Sequence, residues 1–289
     1  MVSPKVSIII PTYNRTQLLE RSINSLLKQT YKNFEVIVSL DGSPKETEEI
    51  AKNYQKIDPR IKYVYNKRFG STARPFNKAL EIAQGELIAL QGDDDEWLPK
   101  KLEKQVSLLM SDEKLAMVFC GVYRIDEDAT IKKDIFSPPH TLQRLLNKNY
   151  PITPTVLIKK NVLEKTGLFD ESLKYSDDWD MWIRIAKNHS FDFVPEALCK
   201  YYVHNTSLSS SAKEIDMAKE FVKMIEKHHE IYQRHPDSLS YIYSKIAKKF
   251  HSGRNNNMAK KYLHKNFILR KDIKSGLRLL LSYINIFPS

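Results

Sequence analysis

Gly92-Asp93-Asp94-Asp95-Glu96-Trp97-Leu98-Pro99 is the stretch on which the fold of this chain is read. It follows Gly85-Glu86-Leu87-Ile88-Ala89-Leu90-Gln91, an apolar run of strand length. Pro99 then opens Lys100 to Leu109, which reads as a helix with proline near its first turn. Three adjacent carboxylates therefore stand at the carboxyl end of a buried strand, the edge at which open α/β sheets bind ligands. Charges that close repel one another and need an offset. A hard divalent cation such as Mg²⁺ or Mn²⁺ supplies one, and can then hold phosphate oxygens. A solvated acidic turn is the alternative at this point.

Outward from this turn, strands alternate with helices. Val6-Ser7-Ile8-Ile9-Ile10 is short, continuous and β-branched, as in a buried parallel strand. Thr16 is the expected N-cap of a helix over 17–29, followed by a strand at 34–40, a helix at 45–55 and a strand at 61–65. A helix is expected at 75–83. The pattern predicts a mainly parallel sheet with right-handed crossovers. Three strand ends then share one edge: Pro11-Thr12-Tyr13, Asp41-Gly42-Ser43 and Asp93-Asp94-Asp95. Tyr13 can pack on a nucleotide base, Asp41 can accept from a base N–H or a ribose hydroxyl, and a cation can bind the diphosphate. Neither Gly-x-Gly-x-x-Gly nor Gly-x-x-x-x-Gly-Lys-Ser/Thr follows the first strand, which argues against a dinucleotide dehydrogenase and a P-loop enzyme.

The totals are those of a globular protein. The 289 residues suffice for a large α/β domain with a smaller appendage, and 42% are hydrophobic. No apolar run is long enough to span a bilayer, and the first residues lack the pattern of a signal peptide. Cys120 and Cys199 lie in apolar surroundings without metal-ligand spacing, which suits buried thiols in a reducing cytoplasm. The net charge is +11, unevenly spread. Residues 212–289 hold 16 Lys+Arg against 7 Asp+Glu, whereas residues 1–211 hold 30 against 28. This balance favours an anionic partner for the tail, such as the inner face of a membrane; a solvated basic helical surface accounts for it equally.

The ordered motifs Val6 to Arg15, Gln29 to Val38, Asp41-Gly42-Ser43 and the acidic turn resemble an inverting family-two glycosyltransferase of GT-A fold. The likeness covers roughly the first two thirds of the chain. It implies a mixed, mainly parallel sheet flanked by helices, a nucleoside diphosphate sugar donor (a UDP-sugar first), Mg²⁺ or Mn²⁺, and inversion at the anomeric carbon. Pro11, Thr12, Tyr13, Arg15, Asp41, Arg74 and Asp93 are then donor contacts. Asp94, with Asp95 beside it, matches the metal ligands. The chain departs from the family's usual form where Gly92 replaces an additional Asp and Leu40 replaces a frequent Asp.

Tyr175 to Ala186 begins with Ser176 as N-cap and acids in the first helical turn. These acids can simply complement the helix dipole. The resemblance implies more: Asp178 matches the catalytic base, Asp177 stands where Glu is common, and Asp177, Trp179, Thr153 and Thr155 shape the acceptor site. An acceptor hydroxyl is a poor nucleophile, and a carboxylate within hydrogen-bond reach removes its proton as it attacks. His204 opens a His-x-x-Ser segment, residues 204–207, like one that closes over the diphosphate and metal in some members. Asp126-Glu127-Asp128 reads as a solvated turn.

The expected division is a GT-A catalytic domain over 1–211 and a basic helical region over 212–289. The latter contains a tetratricopeptide-like hairpin and an apolar end at 276–287, which suits a membrane interface, a core helix or a contact with a second copy. The expected function is sugar transfer to a glycan or lipid-linked glycan in surface-polysaccharide synthesis, with no nucleic-acid partner. Two rivals stand beside it. A sugar-phosphate nucleotidyltransferase resembles Gly-Gly-x-Gly-Thr-Arg after the first strand, which Pro11 to Arg15 does not. A non-enzymatic module for anionic lipid or nucleic acid has only the basic tail in its support.

Overall fold

β-branched residues at successive positions shape the amino-terminal half of the protein. In the computed structural model, which describes residues 4–136, 138, 140–207 and 212–283, this half runs β1 (Val6–Thr12), α1 (Thr16–Leu27), β2 (Phe34–Asp41), α2 (Lys45–Ile57), β3 (Ile61–Asn66), α3 (Ala73–Ile82) and β4 (Leu87–Leu90). Val6, Ile8, Ile9 and Ile10 are fully buried, as are Val36, Ile37 and Val38. A strand covered on both faces has no room for polar alternation. β1 pairs in parallel with β2 on one side and β4 on the other, and β2 pairs with β3. The carboxyl ends of β1, β2 and β4 consequently share one edge.

The sheet continues through β5 (Glu96–Trp97), β6 (Leu115–Ile125), β7 (Ile131–Asp134), β8 (Leu157–Lys159) and β9 (Ser190–Tyr202). Its order is β3-β2-β1-β4-β8-β6-β9-β5, with β7 on β6. β8 is antiparallel to both β4 and β6, whereas β6 and β9 are parallel. Helix α4 (Lys101–Ser111) follows the acidic turn, and α6 (Lys160–Thr166) and α7 (Asp177–Ala186) lie between β8 and β9. β9 runs unbroken through Pro195. Pro195 lacks an N–H for the ladder, and the register jumps there from Val194 opposite Cys120 to Ala197 opposite Gly121. Thr16, expected to cap α1, is its first helical residue. Arg15 takes the cap position, and its guanidinium is used elsewhere.

The described chain divides into two units, Met1–His140 with Tyr150–Asn205 and Thr141–Asn149 with Thr206–Ser289. Residues 141–149, read with the catalytic domain, therefore group with the carboxyl-terminal helices. The second unit contains α5 (Leu142–Asn147), α8 (Glu214–Lys227), α9 (His229–Arg234), α10 (Pro236–Ser252), α11 (Asn256–Arg270) and α12 (Ile273–Tyr283). The Tyr232 hydroxyl donates to the Leu146 carbonyl at 2.9 Å, which ties α9 to α5. α10 and α11 form the expected hairpin. Asn255 caps α11 by accepting from the Met258 N–H, and the rings of Phe250 and Tyr262 stack at 5.9 Å. The part of the apolar end at 284–287 lies outside the described residues.

Lys101, the first residue of α4, is completely buried. Its Nζ donates to Gln105 Oε1 at 2.6 Å and sits 3.7 Å from the centre of the Trp97 ring. Burial pushes its pKa down from 10.5 to about 8. The folded state thus binds this proton less tightly than the unfolded chain. The resulting cost is full below pH 8 and is relieved as pH rises toward 10.5. Comparing the parent with Lys101→Met by denaturant unfolding isolates this contribution. Between pH 7 and 11 the difference should move toward the parent by on the order of 3 kcal/mol.

Candidate active site

The turn after β4 is built as a cage of hydrogen bonds. Gln91, fully buried, donates through Nε2 to Ser22 Oγ at 3.1 Å and to the Asp95 carbonyl at 2.9 Å. Ser22 Oγ in turn donates to the Gly92 carbonyl at 3.0 Å. A Cβ at Gly92 would meet the carboxylate oxygens of Asp95 and Asp94 at 2.7 and 2.8 Å, so a side chain there would displace both carboxylates.

The three carboxylates take different directions. Asp93 accepts from Thr12 Oγ1 at 2.8 Å and from Arg15 Nη1 at 2.9 Å. Arg15 Nη1 also donates to Asp94 Oδ2 at 2.7 Å, so one guanidinium bridges both acids. His204 Nε2 approaches the same Asp94 oxygen at 3.0 Å. Arg21 Nη2 donates to the Asp94 carbonyl at 2.5 Å, while its guanidinium lies over the Tyr202 ring. Asp95 turns inward and accepts the Tyr202 N–H at 3.1 Å. Burial and the neighbouring Asp94 charge raise the pKa of Asp93 to about 6 and hold that of Asp95 well above the usual range.

A cation has to meet this donor set. Among the described residues no group of three or more His, Cys, Asp or Glu side chains is placed to hold one. Mg²⁺ is commonly held by one or two carboxylates, with the remaining positions filled by substrate phosphates and water. Asp94 and His204, both partly accessible, fit that smaller role. Asp95 does not, since its carboxylate is buried and committed to the Tyr202 backbone.

At the end of β2, Asp41 is saturated. It accepts from Arg68 Nη1 at 2.7 Å, from Phe69 N–H at 2.8 Å and from Gly70 N–H at 2.9 Å. The Arg68 guanidinium also lies 3.4 Å above the Tyr13 ring. The close approach of this loop requires glycine at position 42, which has φ +65 and where a Cβ would meet Arg68 backbone at 2.6 Å. Arg68 therefore covers both side chains expected to receive the nucleoside. Nothing in the sequence beyond its place in a glycine-containing loop pointed to it.

The second acidic segment reaches the same edge through two short links. Thr153 Oγ1 donates to Asp178 Oδ2 at 2.9 Å. The neighbouring Pro154 carbonyl accepts Trp97 Nε1 at 2.8 Å, and Trp97 is three residues beyond Asp94. Asp178 Oδ1 accepts from the Trp179 N–H at 2.6 Å. Asp177 is buried and accepts from Thr72 Oγ1 at 2.8 Å, which ties α7 to the start of α3 beside the Arg68 loop. Burial, then the Asp178 charge, raises the Asp177 pKa to about 8. Ser176 occupies the N-cap position, but its side chain makes no capping bond.

Other expected contacts serve the fold. Thr155 is fully buried with its hydroxyl on the Ile152 carbonyl at 2.6 Å, and Trp179 is only 4% exposed. Thr153 is thus the member of that pair placed beside an acid. Arg74 Nε pairs with Glu171 at 2.8 Å, and its guanidinium covers the Phe69 ring. The turn at 126–128, read as solvated, has a partner: Glu127 accepts from both the backbone N–H and the Nδ2 of Asn205, next to His204.

With this geometry in view, comparison with known proteins is direct. E. coli WbnJ, an O-antigen biosynthesis glycosyltransferase, is 32% identical over 215 residues, 72% of this chain and 83% of its own. Two solved structures share the fold. S. aureus TarS in complex with UDP-GlcNAc superposes with a TM-score of 0.67 at 20% identity, over 96% of this chain and 79% of that one. A Pyrobaculum calidifontis mannosyltransferase in complex with GDP-Man and Mn²⁺ gives 0.65 at 18% identity, over 99% and 81%. The sheet order and these likenesses define a fold of GT-A type. More particularly, residues 7–171 match the model of glycosyl transferase family 2, and the chain belongs to that family.

The raised pKa of Asp177 makes its charge costly to the folded state. Stability contributed by the neutral acid is complete below the unfolded value of 3.8 and is lost as pH rises toward about 8. Asp177→Asn should match the parent in melting temperature near pH 4 and exceed it at pH 8, by the equivalent of roughly 1–4 kcal/mol. A melting difference independent of pH would remove the assignment.

Proposed function

We propose that this glycosyltransferase moves a sugar from a nucleoside diphosphate sugar, a UDP-sugar first, to an acceptor hydroxyl with inversion at the anomeric carbon. The product is part of a cell-surface polysaccharide or lipid-linked glycan, a role supported by the relative named for O-antigen biosynthesis. The protein would act in the cytoplasm at the inner face of the membrane. Among the described residues no helix is long and apolar enough to cross a membrane. The observation that carries the mechanism is Asp178, oriented by Thr153 at the sheet edge that also holds Asp93 and Asp94.

Asp41, Tyr13 and Thr12 form the nucleoside side of this reading, and Arg15, held on Asp93 and Asp94, would supply positive charge to the diphosphate. Asp41 reaches a base only if Arg68 gives way, so donor entry and movement of the 68–70 loop are linked. A divalent cation, Mg²⁺ or Mn²⁺, would be held by Asp94 and His204, and it supplies charge to stabilise the departing diphosphate. Asp178 accepts the proton of the acceptor hydroxyl. The acceptor oxygen forms its bond to the anomeric carbon as the bond to the diphosphate oxygen breaks, with the electron pair leaving on the diphosphate. Thr153 keeps one oxygen of Asp178 occupied, and the Trp179 N–H holds the other, which fixes the carboxylate plane. Asp177, neutral at physiological pH by its raised pKa, adds no second negative charge beside the base.

Asp178→Asn keeps the shape and removes the base. Transfer should fall at least about 100-fold, while calorimetric affinity for the donor stays within about twofold. Undiminished transfer would remove Asp178 from its role. A panel of nucleoside diphosphate sugars titrated with and without Mn²⁺ tests the donor. Binding should weaken on chelation, and Asp94→Ala or His204→Ala should erase the Mn²⁺ dependence by about tenfold or more. Donor binding indifferent to metal in all three proteins would overturn the assigned ligands.

A further inference from the structure

A cavity of about 590 Å³ lies within the second unit, and its lining includes none of the residues assigned to transfer. Its wall is basic. α10 contributes Lys245 and Lys248, α11 Arg270, and α12 Arg278. The acid on that wall, Asp237, is already paired with Arg270. Lys245 Nζ has the Asn147 carbonyl at 3.4 Å as its hydrogen-bond partner. Burial, then the charges of Lys148 and Lys249, lowers its pKa. Lys249 takes Glu214 for itself. Among the described residues, Lys245, Lys248 and Arg278 have no carboxylate within ion-pair distance. Cations gathered at a cavity without matching acids favour an anion with several acceptor oxygens, as a phosphate has.

Among the described residues, the helix that provides Arg278 also carries an apolar face without a partner. Ile273, Leu277 and Leu280 are 91%, 54% and 68% exposed, and their spacing of four and three places them on one side of α12. Arg278 directly follows Leu277, so the basic wall adjoins the apolar face. Phosphate-seeking groups beside hydrocarbon-seeking ones match the two halves of an anionic lipid. The excess of 16 basic over 7 acidic residues in 212–289 has the same sign.

We propose that the carboxyl-terminal unit docks on an anionic membrane surface, with a lipid phosphate at Lys245, Lys248 and Arg278 and with Ile273, Leu277 and Leu280 in the headgroup–acyl boundary. This deepens the reading of the protein as an enzyme acting at the membrane, but rests on groups that take no part in transfer.

Co-sedimentation of the full chain with phosphatidylcholine vesicles, with and without phosphatidylglycerol, tests it. The protein should bind only the vesicles containing phosphatidylglycerol, and less at high salt. The pair Lys248→Glu and Arg278→Glu should weaken binding by about tenfold or more, as should the pair Leu277→Asp and Leu280→Asp. None of the four positions is among the residues assigned to donor binding. Circular dichroism and donor affinity should therefore match the parent, and a failed membrane test leaves the transferase reading to its own experiments. Vesicle binding that survives both pairs would overturn the proposal. So would thermal stabilisation by inorganic phosphate without vesicle binding, which would assign the cavity to a soluble phosphate. Self-association by light scattering, abolished by the leucine pair in a protein that ignores vesicles, would assign the apolar face to a second copy instead.

Discussion

Mutual repulsion among carboxylates crowded onto one sheet edge is the constraint around which the catalytic unit is arranged. Arg15 answers it most directly, with one guanidinium nitrogen on Asp93 and Asp94 together. A lysine could supply the charge but not the planar, always-charged fork. The remaining relief comes from Thr12, His204 and the Tyr202 backbone, drawn from β1, the segment after β9, and β9 itself. Strands distant in sequence thus converge because the acids between them need partners.

A buried acid elsewhere in the sheet makes the contrast plain. Glu35 lies near the amino ends of the strands, where Lys62, Ser7, the Gln84 N–H and Lys5 surround it. Burial opposes its charge, but these partners lower its pKa to about 2. It is a fully compensated structural acid. Asp93, Asp95 and Asp177 have too few partners for their burial, and their pKa values rise instead. Acids with too few partners collect at the carboxyl edge, and a compensated one locks the opposite edge.

The two units of the protein differ in charge. The catalytic unit has nearly balanced charge, while the helical unit carries most of the net positive charge. In the helical unit the cations are not dispersed evenly over the surface. Several border one cavity, beside a helix whose apolar face lacks a partner within the described residues.

Much of the fold was legible in the residues themselves. β-branched runs marked the buried parallel strands, since burial on both faces forbids alternation, and the order of motifs pointed to the family. Asp93 and Asp94 stood out as adjacent carboxylates at a strand end, whereas Asp178 and His204 were named from the resemblance to the family. What spacing could not reveal is where a side chain points. Asp95 turns inward because Tyr202 offers it an N–H, and Thr155 closes on its own turn. Arg74 finds Glu171, Glu127 finds Asn205, and Arg68 settles over Tyr13 and Asp41. Each outcome depends on a partner far away in the chain. The sequence by itself determined which elements form and which chemistry is present. The tertiary structure alone decided which acids stay exposed to act and which are spent on the fold, because burial and hydrogen-bond supply are properties of the assembled edge.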